Sequence, residues 1–306
     1  MVFEILVGKL PLEICIYAEP FLVELPDRDN YCCSYTFSLK AFIWLKKYNQ
    51  LDNYKVDFQE AINWAVKKGN LDVVKWLHKN YDNIFIKNKN IYKVIRKGDL
   101  DMVKWLHFNT NNNYNTKAMD EAAENGYLPI VKFLHENRIE GCTTAAMDKA
   151  AGNGHLDIVK WLHENRMEGC TTDAMDLAAG NGHLDVVKWL HENRNEGCTT
   201  DAIDNASWNG YLDIVKWLYK NRIEGCTNDA IDGAVWNGHL IIVKWLYEKS
   251  IEECNDEAIR DAATRGHLDI VKWLYENYKG NCITSSICSA IIDASENGHL
   301  VMIIMM

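Results

Sequence analysis

A short motif recurs along the chain at a nearly constant interval, and this periodicity constrains the fold more than any other feature. Its clearest form is Asn-Gly-His-Leu, and its glycine marks each copy. Successive marker glycines are separated by 29 residues once, by 28 residues six times and by 32 residues once. The marker glycines are Gly69, Gly98, Gly126, Gly154, Gly182, Gly210, Gly238, Gly266 and Gly298. Such a period indicates a repeat protein, in which each unit buries its apolar face by stacking on the next.

One unit, from Asn153 to Gly180, predicts two short helices. Its first part has apolar residues at helical spacing on more than one side, which is typical of a helix between neighbours. Gly169 then ends the pattern, and Thr171 or Thr172 can cap a second helix. The apolar residues of the two helices are Leu156, Ile158, Val159, Trp161 and Leu162, then Ala174, Met175, Ala178 and Ala179. Two helices of about ten residues are marginal alone in water, so stacking must stabilise them.

The stretch "AMDLAAGNGHLDVVKWL", Ala174 to Leu190, resembles the ankyrin repeat, with its helix ending in Ala-Ala, its Gly-His-Leu turn and its Val-Val-Lys-x-Leu helix. Ankyrin units usually have 33 residues, whereas these have 28. The missing residues fall in segments such as "HENRMEGCTT", where the family carries its hairpin finger. The resemblance therefore implies an all-α, ankyrin-like helical solenoid with shortened finger loops, over residues 36–306. The residue pattern of the 28-residue unit is also similar to that of ankyrin proteins multiplied in giant DNA viruses of amoebae.

The two ends of the chain depart from the pattern. Residues 1–35 are expected to form an N-terminal cap or a weak F-box-like segment, because "LPLEI", Leu10 to Ile14, is similar to the start of an F-box. An F-box would make the protein a substrate adaptor of a ubiquitin ligase. At the other end, "HLVMIIMM" (299–306) is apolar and stops within the pattern of a helix. Either the array is truncated there or that end docks on another surface.

Composition limits the possible partners and compartments. The net charge of −10 and the pI of about 5.5 disfavour nucleic acid, whose phosphates require a basic surface. No apolar stretch approaches the roughly 18 residues of a membrane helix, and the first residues do not read as a signal peptide. We therefore expect a protein of the cytoplasm, or of the nucleus, with neither nucleic acid nor membrane as a partner.

The cysteines and histidines repeat with the array, which favours structural roles. Neighbouring copies would lie about 8–10 Å apart, the helix packing distance, which is too far for a disulfide or a shared zinc ion. A repeated residue is also a poor catalyst candidate, since catalysis needs one unique arrangement. No phosphate loop or nucleophile motif is present. We expect no enzyme activity, no metal and no cofactor. The periodic cysteines are Cys142, Cys170, Cys198, Cys226, Cys254 and Cys282.

Two positions on the first helix of each unit vary from copy to copy while the packing positions hardly change. One reads Glu121, Lys149, Leu177, Asn205, Gly233 and Asp261, and the other, three residues on, reads Glu124, Gly152, Gly180, Trp208, Trp236 and Thr264. Sites three apart share a helix face, which we call the variable face. We interpret it as free of the packing constraint, and the ankyrin resemblance implies that it lines a concave groove.

The candidate binding residues are the uncharged members of this face, with aromatic anchors at the centre and charges at the rim. They are Leu177, Asn205, Trp208, Gly233 and Trp236. The alternative is that both indole rings fold over Asn205 and Gly233 and fill a gap. A second group of tryptophans, at one constant position of the second helices, is expected to form a packing ladder. The chain is thus expected to be a monomer that binds a protein, a host protein if the viral resemblance holds.

Overall fold

The computed structural model describes residues 58–81, 86, 88–110, 114–249 and 256–277, together with single positions at 39, 43, 46, 47, 292, 297 and 298. These residues form helices, turns and loops without a strand. The chain divides into two compact units, 1–114 and 115–306. Segment 1–35, with Leu10 to Ile14, and the end 299–306 lie outside the described residues. The division of the chain at residue 35 stays a prediction.

The described helices alternate between a first and a second helix of each repeat. The first unit contains α1 (Phe58–Lys68), α2 (Leu71–Asn80), α3 (Asn88–Ile95) and α4 (Leu100–Asn109). The second unit contains α5 (Lys117–Glu124), α6 (Leu128–Asn137), α7 (Thr144–Gly152), α8 (Leu156–Asn165), α9 (Asp173–Gly180), α10 (Leu184–Asn193), α11 (Asp201–Trp208), α12 (Leu212–Asn221), α13 (Asn228–Trp236), α14 (Leu240–Glu248), α15 (Asp256–Arg265) and α16 (Leu268–Asn277).

Within the second unit each first helix stacks on the first helix of the next repeat and packs against the second helix of its own repeat. The predicted apolar positions form this core: Ala174, Met175, Ala178 and Ala179 of α9 are buried, as are Val186, Val187 and Leu190 of α10. The repeated packing of short helices confirms the prediction of an all-α, ankyrin-like solenoid. Alanines on the first helices let their backbones approach closely, which is why these helices make the most extensive contacts.

The marker glycine forms the turn between the two helices of a repeat. Gly154 has φ +76°, a left-handed conformation that suits glycine. It also makes room for the next repeat, because a Cβ atom added to Gly154 would lie 2.6 Å from Cε1 of His183. The histidine of Asn-Gly-His-Leu therefore packs over the glycine of the preceding copy. Tyr211 takes the same place over Gly182.

A buried aspartate ties each repeat to the next. The backbone amide of Thr171 donates to Oδ1 of Asp148 at 2.7 Å, and its hydroxyl donates to Oδ2 at 3.1 Å. The same pair of bonds joins Asp176 to Thr199 and Asp204 to Thr227. Of the two predicted capping residues, Thr171 accepts from the amide of the first helical residue, whereas Thr172 makes no such bond. One threonine thus caps its own helix and binds the preceding repeat.

The loop between repeats is a short turn closed by an ion pair, which confirms the shortened finger. Arg166 and Glu168 form this pair, with Nε 3.2 Å from Oε2, and Gly169 follows with φ +74°. Arg166 holds the pKa of Glu168 down at about 2 despite its partial burial. The same Arg-x-Glu pair closes the loops at Arg138–Glu140, Arg194–Glu196 and Arg222–Glu224. Each loop therefore carries no net charge.

The tryptophans of the second helices form the expected ladder. The ring of Trp189 meets that of His163 in the preceding repeat edge to face, with centroids 5.3 Å apart at an interplanar angle of 84°. Equivalent contacts join His135 to Trp161 and Tyr219 to Trp245. These rings are half-buried rather than part of the core. The ladder therefore stabilises the outer surface of the stack.

Candidate interaction surface

The variable face is exposed on the first helices of the second unit, but its members differ in what they present. Leu177 and Trp208 are 42% and 46% exposed. Asn205 is also exposed, Trp236 is half-buried and Gly233 is buried. Exposed apolar residues at helical spacing on consecutive repeats form a contact surface that a partner can cover.

Neighbouring first helices are matched in size at these positions. A Cβ atom added to Gly152 would lie 2.9 Å from Cβ of Leu177, and one added to Gly180 would lie 3.0 Å from Cβ of Asn205. In the next pair the sizes are reversed: Trp208 is large, and its Cε3 would lie 2.6 Å from a Cβ atom on Gly233. The expectation that this face is free of packing constraints was therefore wrong at these three pairs, because the glycine of each pair leaves room for the side chain on the neighbouring helix.

Another pair on this face, between α5 and α7, is joined by an ion pair instead of by a match in size. Nζ of Lys149 lies 2.8 Å from Oε2 of Glu124, and both side chains remain partly exposed. This ion pair lies on one side of Leu177 along the row of first helices, as the sequence predicted for the charged rim. Pairs of this kind stabilise little at an exposed site, so its main effect is to place a balanced charge beside the apolar centre.

The two tryptophans of the variable face differ in their surroundings. The ring of Trp208 lies over Gly233, as in the gap-filling alternative, yet nearly half of the residue remains exposed. Trp236 is covered on one side by Arg265, whose guanidinium carbon lies 3.9 Å from the ring centroid. Gly233 therefore acts by leaving space for Trp208 rather than by offering a side chain. Of the candidate residues, Trp208 and Leu177 present the most apolar surface.

The loop tips carry exposed apolar residues that the sequence reasoning missed. Ile139, Met167 and Ile223 are fully exposed, and each stands between the arginine and the glutamate of a loop ion pair. Because the flanking side chains bond to each other, the middle side chain points into solvent. The signal was the invariant Arg-x-Glu around a variable residue, which could have been read as a closed turn.

The described cysteines are reduced and have little reactivity. Cys142, Cys170 and Cys198 are buried thiols that form no disulfide, as predicted for this position. Cys226 is partly buried and forms no disulfide, and Cys254 and Cys282 lie outside the described residues. Burial raises the pKa of Cys142 to about 12, with a further contribution from the charge of Glu168. A thiol with so high a pKa is a poor nucleophile and a poor metal ligand.

The described residues offer neither a metal-binding cluster nor a membrane-spanning helix. Among the described residues, no group of three or more histidine, cysteine, aspartate or glutamate side chains is placed to hold a metal ion. The histidines pack instead over marker glycines and against tryptophan rings. None of the described helices has the length and apolarity needed to cross a membrane.

Comparison with known proteins places the repeats in a family. The family model of ankyrin repeats, which describes three copies, matches residues 62–148 and again residues 147–232. Together these matches cover more than half of the 306 residues. A search of curated proteins found no match. The matched segments contain the Gly-His-Leu turns and the paired short helices seen in the structure, so the chain belongs to the ankyrin-repeat family.

Proposed function

We propose that the chain is a non-enzymatic scaffold that binds a protein partner through its variable face, with Trp208 as the principal contact. Ankyrin repeats generally mediate protein–protein interaction, and the family is typically a non-enzymatic scaffold. The observation that carries the proposal is the 46% exposure of Trp208 on a helix whose other apolar residues are buried. Tryptophan is enriched among the few residues that dominate binding energy at interfaces.

The other candidate residues have distinct roles in this proposal. Leu177 and Asn205, one repeat apart, extend the contact from Trp208 along the row of first helices. Gly233 sets the orientation of the Trp208 ring, and Trp236 continues the aromatic surface beneath Arg265. In ankyrin-like solenoids this row lines the concave groove, so we propose that the partner lies across several repeats there.

The resemblance to repeats of giant DNA viruses stays a prediction. It would make the partner a host protein and the host cytoplasm, or nucleus, the place of binding. The protein itself is proposed to act as a monomer. The adaptor alternative depends on Leu10 to Ile14, which lie outside the described residues. In that case residues 1–35 would recruit ubiquitin-ligase subunits while the variable face binds the substrate.

A cross-linking pull-down with the full chain tests this proposal. The double variant Leu177→Ala, Trp208→Ala removes the exposed apolar surface of the variable face. Ile223→Ala is the matched control, because it removes an equally apolar and fully exposed side chain from a loop tip. We expect a specific partner to be lost in the double variant and kept in the control. Loss in the control alone would move the binding surface to the loop tips and contradict the proposal.

A chain lacking residues 1–40 distinguishes the adaptor alternative from a scaffold without ligase binding. If ligase subunits are captured by the full chain and vanish with this deletion, the protein is an adaptor as well as a scaffold. If the captured proteins are unaffected by the deletion, the adaptor alternative is excluded. Circular dichroism of each variant checks that helix content is unchanged.

A further inference from the structure

The two tryptophans of the variable face occupy equivalent positions in successive repeats, but only one is covered by a cation. Arg265 lies over the ring of Trp236, with its guanidinium carbon 3.9 Å from the centroid. In the described part of the chain, no arginine or lysine lies over the ring of Trp208, which stays 46% exposed. Trp236, under its arginine, is half-buried. Of these two equivalent tryptophans, Trp236 is thus stacked under a guanidinium and Trp208 is not.

A single substitution in the repeat explains this difference. Arg265 precedes its marker glycine, where the other repeats of the second unit carry asparagine. This position lies next to the end of the preceding first helix, because Nδ2 of Asn181 donates to the carbonyl of Gly152 at 2.7 Å, and Asn209 contacts Gly180 in the same way. The position beside Trp208 is occupied by Asn237, whose amide donates to Gly233 of its own helix at 3.1 Å. Asparagine is too short to cover an indole ring as arginine does.

Exposed carboxylates line the row of first helices that carries Trp208. Asp173, Asp201, Asp229 and Glu257 are exposed in the first turns of α9, α11, α13 and α15. Each stands four residues before a member of the variable face, so both lie on one side of the helix. These acids also stabilise the positive ends of their helices. Their charges nevertheless make the N-terminal edge of the variable face acidic, about 10 Å along the helix from Trp208, in a chain with a net charge of −10.

We infer that the partner is a protein with a basic segment, and that this segment places an arginine over the exposed part of Trp208, as Arg265 lies over Trp236. The inference rests on the proposed function and adds the chemistry of the partner. A guanidinium is planar and weakly hydrated, so it stacks on an indole face better than an ammonium does. Further basic residues of the segment lie against Asp201 and Asp229. The intramolecular pair shows that the array can hold a guanidinium at this position.

The test compares three labelled peptides of one sequence, with a single central arginine among serines and two lysines, or with lysine or citrulline in its place. Citrulline keeps the shape of arginine without the charge. Fluorescence anisotropy measures binding to the full chain. We expect the citrulline peptide to bind about twofold to fivefold more weakly than the arginine peptide, and the lysine peptide to lie between them. The indole N–H signal of Trp208, assigned from Trp208→Phe, should shift with the arginine peptide.

Two variants that add the same positive charge to the chain separate stacking of the peptide's guanidinium on Trp208 from electrostatic attraction of the peptide alone. Asn237→Arg supplies the missing guanidinium from within the chain, so it should remove the preference for arginine over citrulline. Asn181→Arg is the matched control, because it adds the same charge one position after Gly180, beside Gly152 and Leu177 instead of a tryptophan. This control should keep the preference. An equal loss in both variants, or equal binding of all three peptides to the original chain, would overturn the inference.

A third variant tests the inference without relying on how Asn237→Arg folds. Arg265→Ala uncovers Trp236, whose indole signal should then shift with the arginine peptide although it does not shift in the original chain. An unchanged Trp236 signal in this variant counts against an arginine site. The outcomes are distinct from those of the pull-down. If the partner is lost with the double variant Leu177→Ala, Trp208→Ala but the peptides show no preference for arginine, the scaffold function stands and its proposed chemistry is wrong.

Discussion

The marker glycines make a prediction that separates backbone conformation from close packing. Gly154 has φ +76°, and a Cβ atom there would lie 2.6 Å from both Cε1 and Nδ1 of His183. Holding alanine in the left-handed region costs about 1–2 kcal/mol. Displacing the imidazole ring costs about 1–3 kcal/mol more, as overpacking does. Alanine also lowers the conformational entropy of the unfolded chain, which stabilises the folded state by about 0.4–1 kcal/mol and offsets part of this cost. We therefore expect Gly154→Ala to lower the free energy of unfolding by about 3 kcal/mol, within the range of about 1–5 kcal/mol that these three contributions span.

Gly225 provides the matched control. Its φ is +74°, but no neighbouring atom lies within 4 Å of the added Cβ position. Gly225→Ala should therefore cost only about 1 kcal/mol, the conformational part. Urea denaturation followed by circular dichroism measures both variants. The double variant Gly154→Ala, His183→Ala should recover the steric part relative to the sum of the single variants. Equal costs at the two glycines, or no recovery in the double variant, would refute the steric argument.

Three other substitutions have expected outcomes. Ser207→Ala should raise the free energy of unfolding by about 1 kcal/mol in urea denaturation, because the Ser207 hydroxyl is buried without a hydrogen-bond partner; a loss of stability would contradict this. Trp189→Ala should cost about 2–3 kcal/mol in the same assay, since it removes a half-buried ring that packs on His163; a cost under about 1 kcal/mol would mean that the ladder adds little. Burial raises the pKa of Asp204 from its ordinary 3.8 to about 6, although hydrogen bonds from Thr227 lower it. The folded state thus holds this proton more tightly than the unfolded chain does. The stability that the protonated Asp204 contributes to the folded state is full below about pH 4 and is lost as the pH rises through 6. The melting temperature of the original chain minus that of Asp204→Asn should fall over this range, and a constant difference would show that Asp204 does not titrate there.

The repeat itself could be predicted because its determinants are local. The spacing of apolar residues, the glycine that needs a positive φ and the threonine that caps α7, α9, α11 and α13 all act within one unit, and the structure confirms each of them. The bonds between Asp148 and Thr171 could not be read in this way, because the two residues are 23 positions apart and meet only when the repeats stack. The same holds for the histidines over Gly126, Gly154, Gly210 and Gly238, which the sequence shows as part of a motif but not as a contact between copies.

The variable face shows how internal comparison can mislead. Differences between copies at Leu177, Trp208 and their equivalents indicated positions without a packing role. The structure shows instead that several of these residues are matched across neighbouring helices: glycine at 152 faces Leu177, and Trp208 faces glycine at 233. A change at one position therefore requires a change at the other, and the two vary together from repeat to repeat. Sequence variation in a stacked array can thus mark coupled packing as well as binding. At Trp208 the exposed 46% of the residue supports the proposed binding role, because packing over Gly233 accounts only for the buried part.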